Sequence, residues 1–514
     1  MTSTFHSIET SRRSLSTTTT SLNTVSHNIA NANTAGYSRQ VVHTSATNPL
    51  EAVAFRNSTN SGQIGTGVEA TAIKRVRSMF LDTQYRGENS SLGSWTVRSD
   101  TLNKLEKVVN EPSETGMQTV LNQFWSAWSD LSNNPQSTTN QKILKETTLA
   151  LTDAMNQTSK QLDALSSDLT SSVNLDVSTI NSFTSTIASL NQNIMKIEAQ
   201  GNDANDLRDQ RDYAVDQLSK YGNLTVTELN TGYQVTFAGQ QLVNGATTTA
   251  LTADAVQTAY DGGALTSGEL HGLIYSKNEY VADQKAELDQ LANTLANGKF
   301  SVTFPSGSVI PEGTVINGVT YSDAAGNRTL TSDLTFDVEG INGLHKLGYN
   351  SSSKSGGDFF TATGGGTVTA GNITLNPDLQ TNPSDIAFSL RTTGTGTAEK
   401  VVAGNGGLAL MMSELKNTKI DFGTSSPTTV QDFFNGSVGK LGVNSAEATR
   451  QAENAETLTS QVDSNRQSVS GVSQDEEMAD LLKFQHAYSA ASRFMTTMDQ
   501  LLDRLINSTG RVGL

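Results

Sequence analysis

Apolar residues recur every seventh position near the start of the chain, at Ile8, Leu15, Leu22 and Ile29, with Phe5 and Val25 on the same side. This spacing predicts an amphipathic helix over 5–31. The pattern stops at NANTAGY, where Gly36 can take the left-handed conformation. A stronger pattern closes the chain. Leu481, Phe484, Tyr488, Ala491, Met495, Met498, Leu502 and Leu505 alternate spacings of three and four, the a/d seam of a coiled coil. It predicts a helix over 475–509. Ser473 and Glu476 can form a capping box at its start, and Asp475 and Glu477 suit the positive helix end.

Between these ends, helical periodicity covers 95–110, 117–131, about 140–200, 203–218 and 277–297, and returns near 428–435 and at 445–470. From 222 the pattern changes to strand alternation in LTVTEL and YQVTFAGQQLV. Alternation recurs over 299–339 between Gly, Pro and Asn turns, and 367–390 reads as a hairpin region. Of 42 glycines, 31 fall in 221–450, which marks a turn-rich middle between helical flanks. The chain therefore runs out and back, with both ends in one helical region.

Composition narrows the functions. At 514 residues the prior is several domains of roughly 150 residues each. Ser and Thr fill 20 of the first 50 positions, so the N-terminal helix carries an unusually polar face. The net charge of −16 disfavours nucleic acid and anionic lipid as partners, because both attract cationic surfaces. The chain has no cysteine, which excludes disulfides, thiol catalysis and Cys-based metal sites and suits passage between redox compartments. Apolar runs such as 408–412 are far shorter than the ~20 residues of a membrane span. Arg12 and Arg13 precede SLSTTTTSL rather than an apolar core, so a cleavable signal peptide is not expected.

The chemistry-bearing residues form no catalytic pattern. His6, His27, His43, His271, His345 and His486 have no metal-ligand spacing. The glycines at 364–366 lack a following Lys-Ser/Thr and read as a turn. GNDANDLRDQRD lacks the ligand order of a calcium loop and reads as a capped, ion-paired helix. No nucleophile motif or dinucleotide fingerprint is present. No catalytic, cofactor or metal residue is expected, and the chain is not expected to be an enzyme.

The terminal seams carry the main signal. Such spacing ordinarily means a core helix. Here it sits at both extremes, with complementary apolar stripes hundreds of residues apart, and pairing of the two termini explains both features.

The segment SLNTVSHNIANANTAGYSRQVV (21–42) resembles the N-terminal signature of bacterial flagellar axial proteins, with Asn28, Asn31, Asn33, Gly36, Tyr37 and Arg39 as its turn. AGYSRQ is similar to the flagellar hook-associated proteins of the first hook–filament junction. SGVSQDEEMADLLKFQHAYSAASRFMTTMDQLLDRL (470–505) resembles the matching C-terminal signature. Internal blocks agree in order, among them GYQVTFAGQQLVNG, GGALTSGELHGLI, GLHKLGY with GGDFF, and ITLNPDLQTNPSDIAFS. Residues 299–339 depart from the family pattern and read as an inserted β meander leaning on the main body.

The resemblance implies a multidomain α+β structural protein. Its terminal antiparallel coiled coil (1–40 with 470–514) would serve assembly. A helical core with a β-rich centre (41–298 with 340–469) would carry the inserted β subdomain (299–339). It implies a ring of subunits between the hook protein and a second junction protein adjoining the filament. It also implies export through the flagellar type III apparatus, an export chaperone held by the C-terminal region, and an extracellular location. The Ser, Thr, Asn and Gln faces of the terminal helices would then meet neighbouring subunits. The alternatives are another axial protein, flagellin-like or hook-like, or a secreted adhesive module whose β middle binds a ligand.

Overall fold

The computed structural model of the chain describes residues 5–49, 64–111, 113, 116–423 and 426–508. The outer ends of the expected assembly segments, 1–4 and 509–514, lie outside the described residues. The architecture is multidomain α+β, with long helices and small antiparallel sheets.

Helix α1 (His6–Ala30) leads into an antiparallel pair, β1 (Gln40–Ala46) and β2 (Val68–Arg75). Helices α2 (Met79–Val109), α3 (Met117–Asn133) and α4 (Thr138–Glu198) follow. The 61 residues of α4 include no Gly or Pro, so nothing in the sequence interrupts its hydrogen-bond ladder. After α5 (Asn205–Ser219), the strands β3 (Leu224–Leu229), β4 (Gly232–Phe237), β5 (Gln240–Asn244) and β6 (Thr247–Thr248) form an antiparallel meander. Helix α6 (Ala253–Asp261) starts at Thr252, whose hydroxyl accepts from the Ala255 N–H. Helix α7 (Glu269–Tyr275), a π-helical turn (Ser276–Val281) and α8 (Ala282–Asn297) make one continuous run.

The segment 299–339 folds as β7 (Lys299–Phe304), β8 (Thr314–Ile316), β9 (Val319–Tyr321) and β10 (Leu334–Glu339). Next come α9 (Gly340–Lys346), the hairpin β11 (Phe360–Ala362) with β12 (Ile373–Leu375), and α10 (Pro377–Thr381). The pair β13 (Thr392–Thr393) with β14 (Lys400–Val401), then α11 (Gly407–Glu414), α12 (Val430–Ser470) and α13 (Gln474–Ser508), complete the chain.

Three local expectations change. First, α12 is one helix across 436–444, the gap between the helical stretches expected near 428–435 and at 445–470. Gly436, Gly439 and Gly442 share the solvent side, while Phe434, Ser437, Leu441, Ser445 and Ala448 are buried on the opposite face. Burial of that face outweighs the helix-weakening effect of glycine, about 1 kcal/mol each. Second, 299–339 is not a meander. β7 pairs with β10 across the ends of the segment, and the β8–β9 hairpin is nested between them. Third, only one strand of the expected 367–390 hairpin lies there, because β12 pairs back to β11.

The chain divides into two compact units, each discontinuous in sequence. The first takes Met1–Trp95, Val173–Gly272 and Ala452–Leu514; the second takes Thr96–Ser172 and Leu273–Gln451. The expected cuts at 298/299 and 339/340 fall inside the second unit. There Phe300, Val302, Phe304, Ile310, Phe336 and Val338 are buried, and Arg328 donates to Tyr349 Oη at 2.7 Å and to Glu399 at 2.6 Å. The segment thus shares a core with its surroundings rather than leaning on them. The second unit also holds an aromatic cluster of Phe124, Trp128, Phe359 and Phe360. Beside it lies His345, fully buried, its Nδ1 2.7 Å from the Gly357 carbonyl and its Nε2 accepting from the Ala387 N–H at 2.9 Å. Burial lowers the His345 pKa to about 4, so the ring is a neutral structural group.

Candidate assembly site

In the first unit, the chain leaves α1 through Asn31, whose side-chain amide donates to the His27 carbonyl at 3.0 Å and whose Oδ1 accepts from the Thr34 hydroxyl at 3.2 Å. Asn33 is exposed. Gly36 has φ of 80°, and a Cβ there would sit 2.8 Å from Tyr213 Cβ. Glycine is required twice over, for the backbone angle and for the close approach. It does not cap α1, which ends several residues earlier at Asn31.

Asn28 is the centre of the turn. It is 1% exposed, and all its polar valences are used. Its Nδ2 donates to the Gln40 carbonyl at 2.9 Å and to Glu477 Oε2 at 3.0 Å. Its Oδ1 accepts from Tyr37 Oη at 2.7 Å and from the Gln40 N–H at 3.0 Å. Burial, and then the nearby Asp206, Asp209 and Glu477, push the Tyr37 hydroxyl pKa up, so it remains a protonated donor. Arg39 completes the link. Its Nε donates to Glu477 Oε1 at 2.6 Å, its Nη1 lies 3.2 Å from Glu476, and its backbone N–H donates to the Ser470 carbonyl at 2.8 Å. The N-terminal turn is therefore bolted to the first turn of α13. Only half of the expected capping box forms: Ser473 Oγ accepts from the Glu476 N–H at 3.4 Å, while the Glu476 carboxylate goes to Arg39.

The two terminal helices pack together, and the end of α1 meets the start of α13, so they run antiparallel. On α13, Leu481, Phe484, Ala491, Met495, Met498 and Leu502 are half-buried along the seam, while Tyr488 and Leu505 are exposed. On α1, Ile8, Leu15, Leu22 and Ile29 are half-buried and Phe5 is exposed. The most buried side of α1 is polar: Ser11, Thr17, Thr18, Ser21, Thr24 and Asn28, with Val25. This corrects the expectation that its Ser/Thr face turns outward. The hydroxyls of Ser11, Thr18, Ser21 and Thr24 donate to carbonyls one turn back, and Thr17 donates to the Val68 carbonyl of β2 at 3.3 Å. Satisfied in this way, small side chains let β1, β2 and α13 approach α1 closely.

A cluster of buried ion pairs supports the turn. Asp209, Asp212 and Asp216 line one face of α5, and Arg75, Arg77, Arg86 and Arg466 converge on that face and on Asp82 from β2, the turn after it, α2 and α12. Arg75 Nη1 lies 2.7 Å from Asp209 and 2.9 Å from Asp212, and Asp209 also accepts from the Ser38 N–H at 2.9 Å. Burial would raise the Asp212 pKa, but Arg77, Arg75 and Arg86 outweigh it and hold the carboxyl down at about 2. Desolvation wins at Asp209, whose pKa is raised. The helix is ion-paired as expected, but to other elements. Its N-cap, Ala204, makes no side-chain cap. Spacings of three and four between the aspartates signalled a charged face; nothing in the sequence identified its arginine partners.

No helix among the described residues is long and apolar enough to cross a membrane. Residues 102–299 match the family model "Flagellar hook-associated protein FlgK helical domain". Residues 463–508 match "Flagellar basal body rod FlgEFG protein C-terminal", and 8–37 match "Flagella basal body rod protein". Flagellar hook-associated protein 1 of Bacillus subtilis is 34% identical over 99% of both chains. The protein of the same name from Escherichia coli is 25% identical over 95% of this chain and 96% of its own. The structure of the flagellar hook junction protein FlgK from Burkholderia pseudomallei covers 75% of this chain and all of its own, with a TM-score of 0.53 at 15% identity, a likeness of fold. A relative this similar over the full length decides the matter: the chain belongs to the flagellar hook-associated protein 1 family.

Proposed function

We propose that the chain is a structural subunit of the junction between flagellar hook and filament, acting by assembly rather than catalysis. The observation that carries this reading is the Asn28–Glu477–Arg39 lock, which joins the two flagellar signatures into one element. An assembly subunit needs its two ends held in one fixed relation; an adhesive or catalytic module does not. Family membership supports a structural role in the extracellular flagellum.

The finer reading is a ring of subunits between hook protein and a second junction protein, exported by the flagellar type III apparatus. The residues proposed for assembly are the α1 and α13 seams and the turn 28–39. The seams are only half-buried, and Met478, Leu482, Phe494 and Leu501 on α13 are exposed as well. Neighbouring subunits in the ring would cover these apolar groups, and an export chaperone would cover them beforehand. Deletion of the gene, followed by electron microscopy and an assay of shed flagellin, tests the reading. Hooks without filaments and flagellin in the medium are expected; normal filaments would reject it. For the helices, hydrogen exchange on the monomer should be faster over 5–30 and 478–508 than over 100–298. Equal protection in a monomeric sample would reject assembly-coupled ordering.

A further inference from the structure

In the second unit β10 pairs, among the described residues, only with β7, which leaves its other edge free, outside the terminal helices. The Gly340 N–H donates to the Gly298 carbonyl at 2.7 Å. The β7–β10 register then turns the backbone groups of Leu334, Phe336 and Val338 toward β7. Those of Thr335, Asp337 and Glu339 point the other way. The Glu339 carbonyl caps the first turn of α9, while among the described residues no backbone group pairs with the others; the one contact is Asn317 Nδ2 at 3.5 Å from the Thr335 carbonyl. This edge opens into a cleft of about 420 Å³ whose opposite wall is β8. The β8 wall presents Val315, which is 63% exposed, and the floor includes Phe336, Val338 and Leu347.

The geometry points to strand addition: β10 accepts an extended peptide whose side chains alternate between apolar and cationic. The reasons are positional. An added strand continues the pleat, so every second side chain falls on the Phe336/Val338 face, beside the apolar lining of the cleft. The intervening side chains lie beside Asp337 and Glu339 on the exposed face. Lys299 stands opposite Glu339, and Lys346 is paired with Asp358 at 2.7 Å, but Asp337 stands opposite Ser301 and has no ion pair among the described residues. The uncompensated charge on the edge is negative, which selects lysine or arginine at the alternate positions. This inference does not depend on the junction reading.

The test uses the full chain and an end-blocked heptapeptide of alternating lysine and valine. Saturable binding by fluorescence anisotropy is expected, with exchange at the amides of Thr335, Asp337 and Glu339 slowed about ten-fold or more. The same peptide N-methylated at alternate residues should not bind. Asp337→Pro removes an outward N–H without touching the ladder to β7 and should weaken binding about ten-fold. Asp337→Lys keeps the backbone intact and should weaken binding at low salt, which decides the matter if the proline variant does not fold. The proposal is overturned by absent binding at millimolar peptide, by undiminished binding in the folded variants, or by protection of the three amides in the free chain.

Discussion

Asn28 and Glu477 stand 449 positions apart and share a 3.0 Å hydrogen bond in which both side chains are almost wholly buried. Glu477 divides its two oxygens between Asn28 and Arg39, and Asn28 divides its amide between Glu477 and the backbone of Gln40. Each side chain is satisfied only while the other is present. The contact therefore makes the order of the N-terminal turn conditional on the order of α13.

Glu477→Ala leaves the Arg39 guanidinium and the Asn28 amide without their buried acceptor. A loss of about 3 kcal/mol in the local stability of the terminal pair is expected. Glu477→Gln, which keeps an acceptor for one partner, should lose less. Hydrogen exchange over 24–40 and 474–485 measures both; equal exchange in wild type and Glu477→Ala would contradict the lock.

Gly36→Ala meets two obstacles, the positive φ and the approach to Tyr213. The backbone strain alone is about 1–2 kcal/mol. Tyr213→Gly removes the Cβ that the new methyl would strike but not the strain, so the double variant, compared with Tyr213→Gly alone, should recover only part of the loss. Full recovery in a double-mutant cycle would show that the conformation itself is not demanding.

Arg328→Ala removes a buried guanidinium that holds Tyr349, Asp323 and Glu399 together. About 3 kcal/mol of destabilisation of the second unit is expected, measured by denaturant titration. Excision of 299–339 should unfold that unit, since it strips buried Phe300, Phe304 and Phe336 from the core as well. A cooperative, native-like melt after excision would show the segment to be dispensable.

Two groups give the units opposite responses to pH. Burial, and then Glu269, raise the Asp176 pKa in the first unit from 3.8 to about 7. Well below pH 3.8 it is protonated folded and unfolded alike. As pH rises toward 7 the unfolded chain releases a proton that the folded state retains, so stability falls. Partial exposure limits the effect to roughly 1–2 kcal/mol, and Asp176→Asn should abolish it. His345 in the second unit has its pKa lowered from 6.5 to about 4. Its contribution is complete above 6.5 and is lost as pH falls toward 4, by about 3 kcal/mol. Unit-resolved hydrogen exchange between pH 4 and 7 should show the two trends, and a common trend would contradict them.

Asp212 adds acid sensitivity to the first unit at lower pH. Its carboxyl, held at about 2, contributes stability that is present above 3.8 and lost as pH falls toward 2. Asp212→Asn should remove this acid limb while lowering stability at neutral pH, because Arg75, Arg77 and Arg86 then face one carboxylate fewer. An unchanged acid transition would place the sensitivity elsewhere.

The seam of α13 was legible because a period near 3.5 in Leu, Phe and Met has one structural meaning over 35 residues. The strands β3 to β5 and β7 to β10 were legible from alternation with Gly turns. The buried face of α1 was not. Its residues are Ser and Thr, and whether a hydroxyl is buried depends on a carbonyl one turn back and on what packs above it. Glu477 was equally opaque: a carboxylate in a first helical turn reads as exposed, and only Asn28 and Arg39 explain its burial.

By itself, then, the sequence determined the elements that follow from period and composition: two amphipathic ends, a glycine-rich β middle, and the signatures that mark a flagellar axial chain. Tertiary structure alone decided which charges meet. Asp209, Asp212 and Asp216 share a face by helical spacing, but Arg75, Arg77, Arg86 and Arg466 reach that face from β2, the turn after it, α2 and α12. Periodicity is a local property of the backbone and survives in one dimension. Pairing of charges across hundreds of residues has no period, and it exists only once burial has brought their helices and strands together.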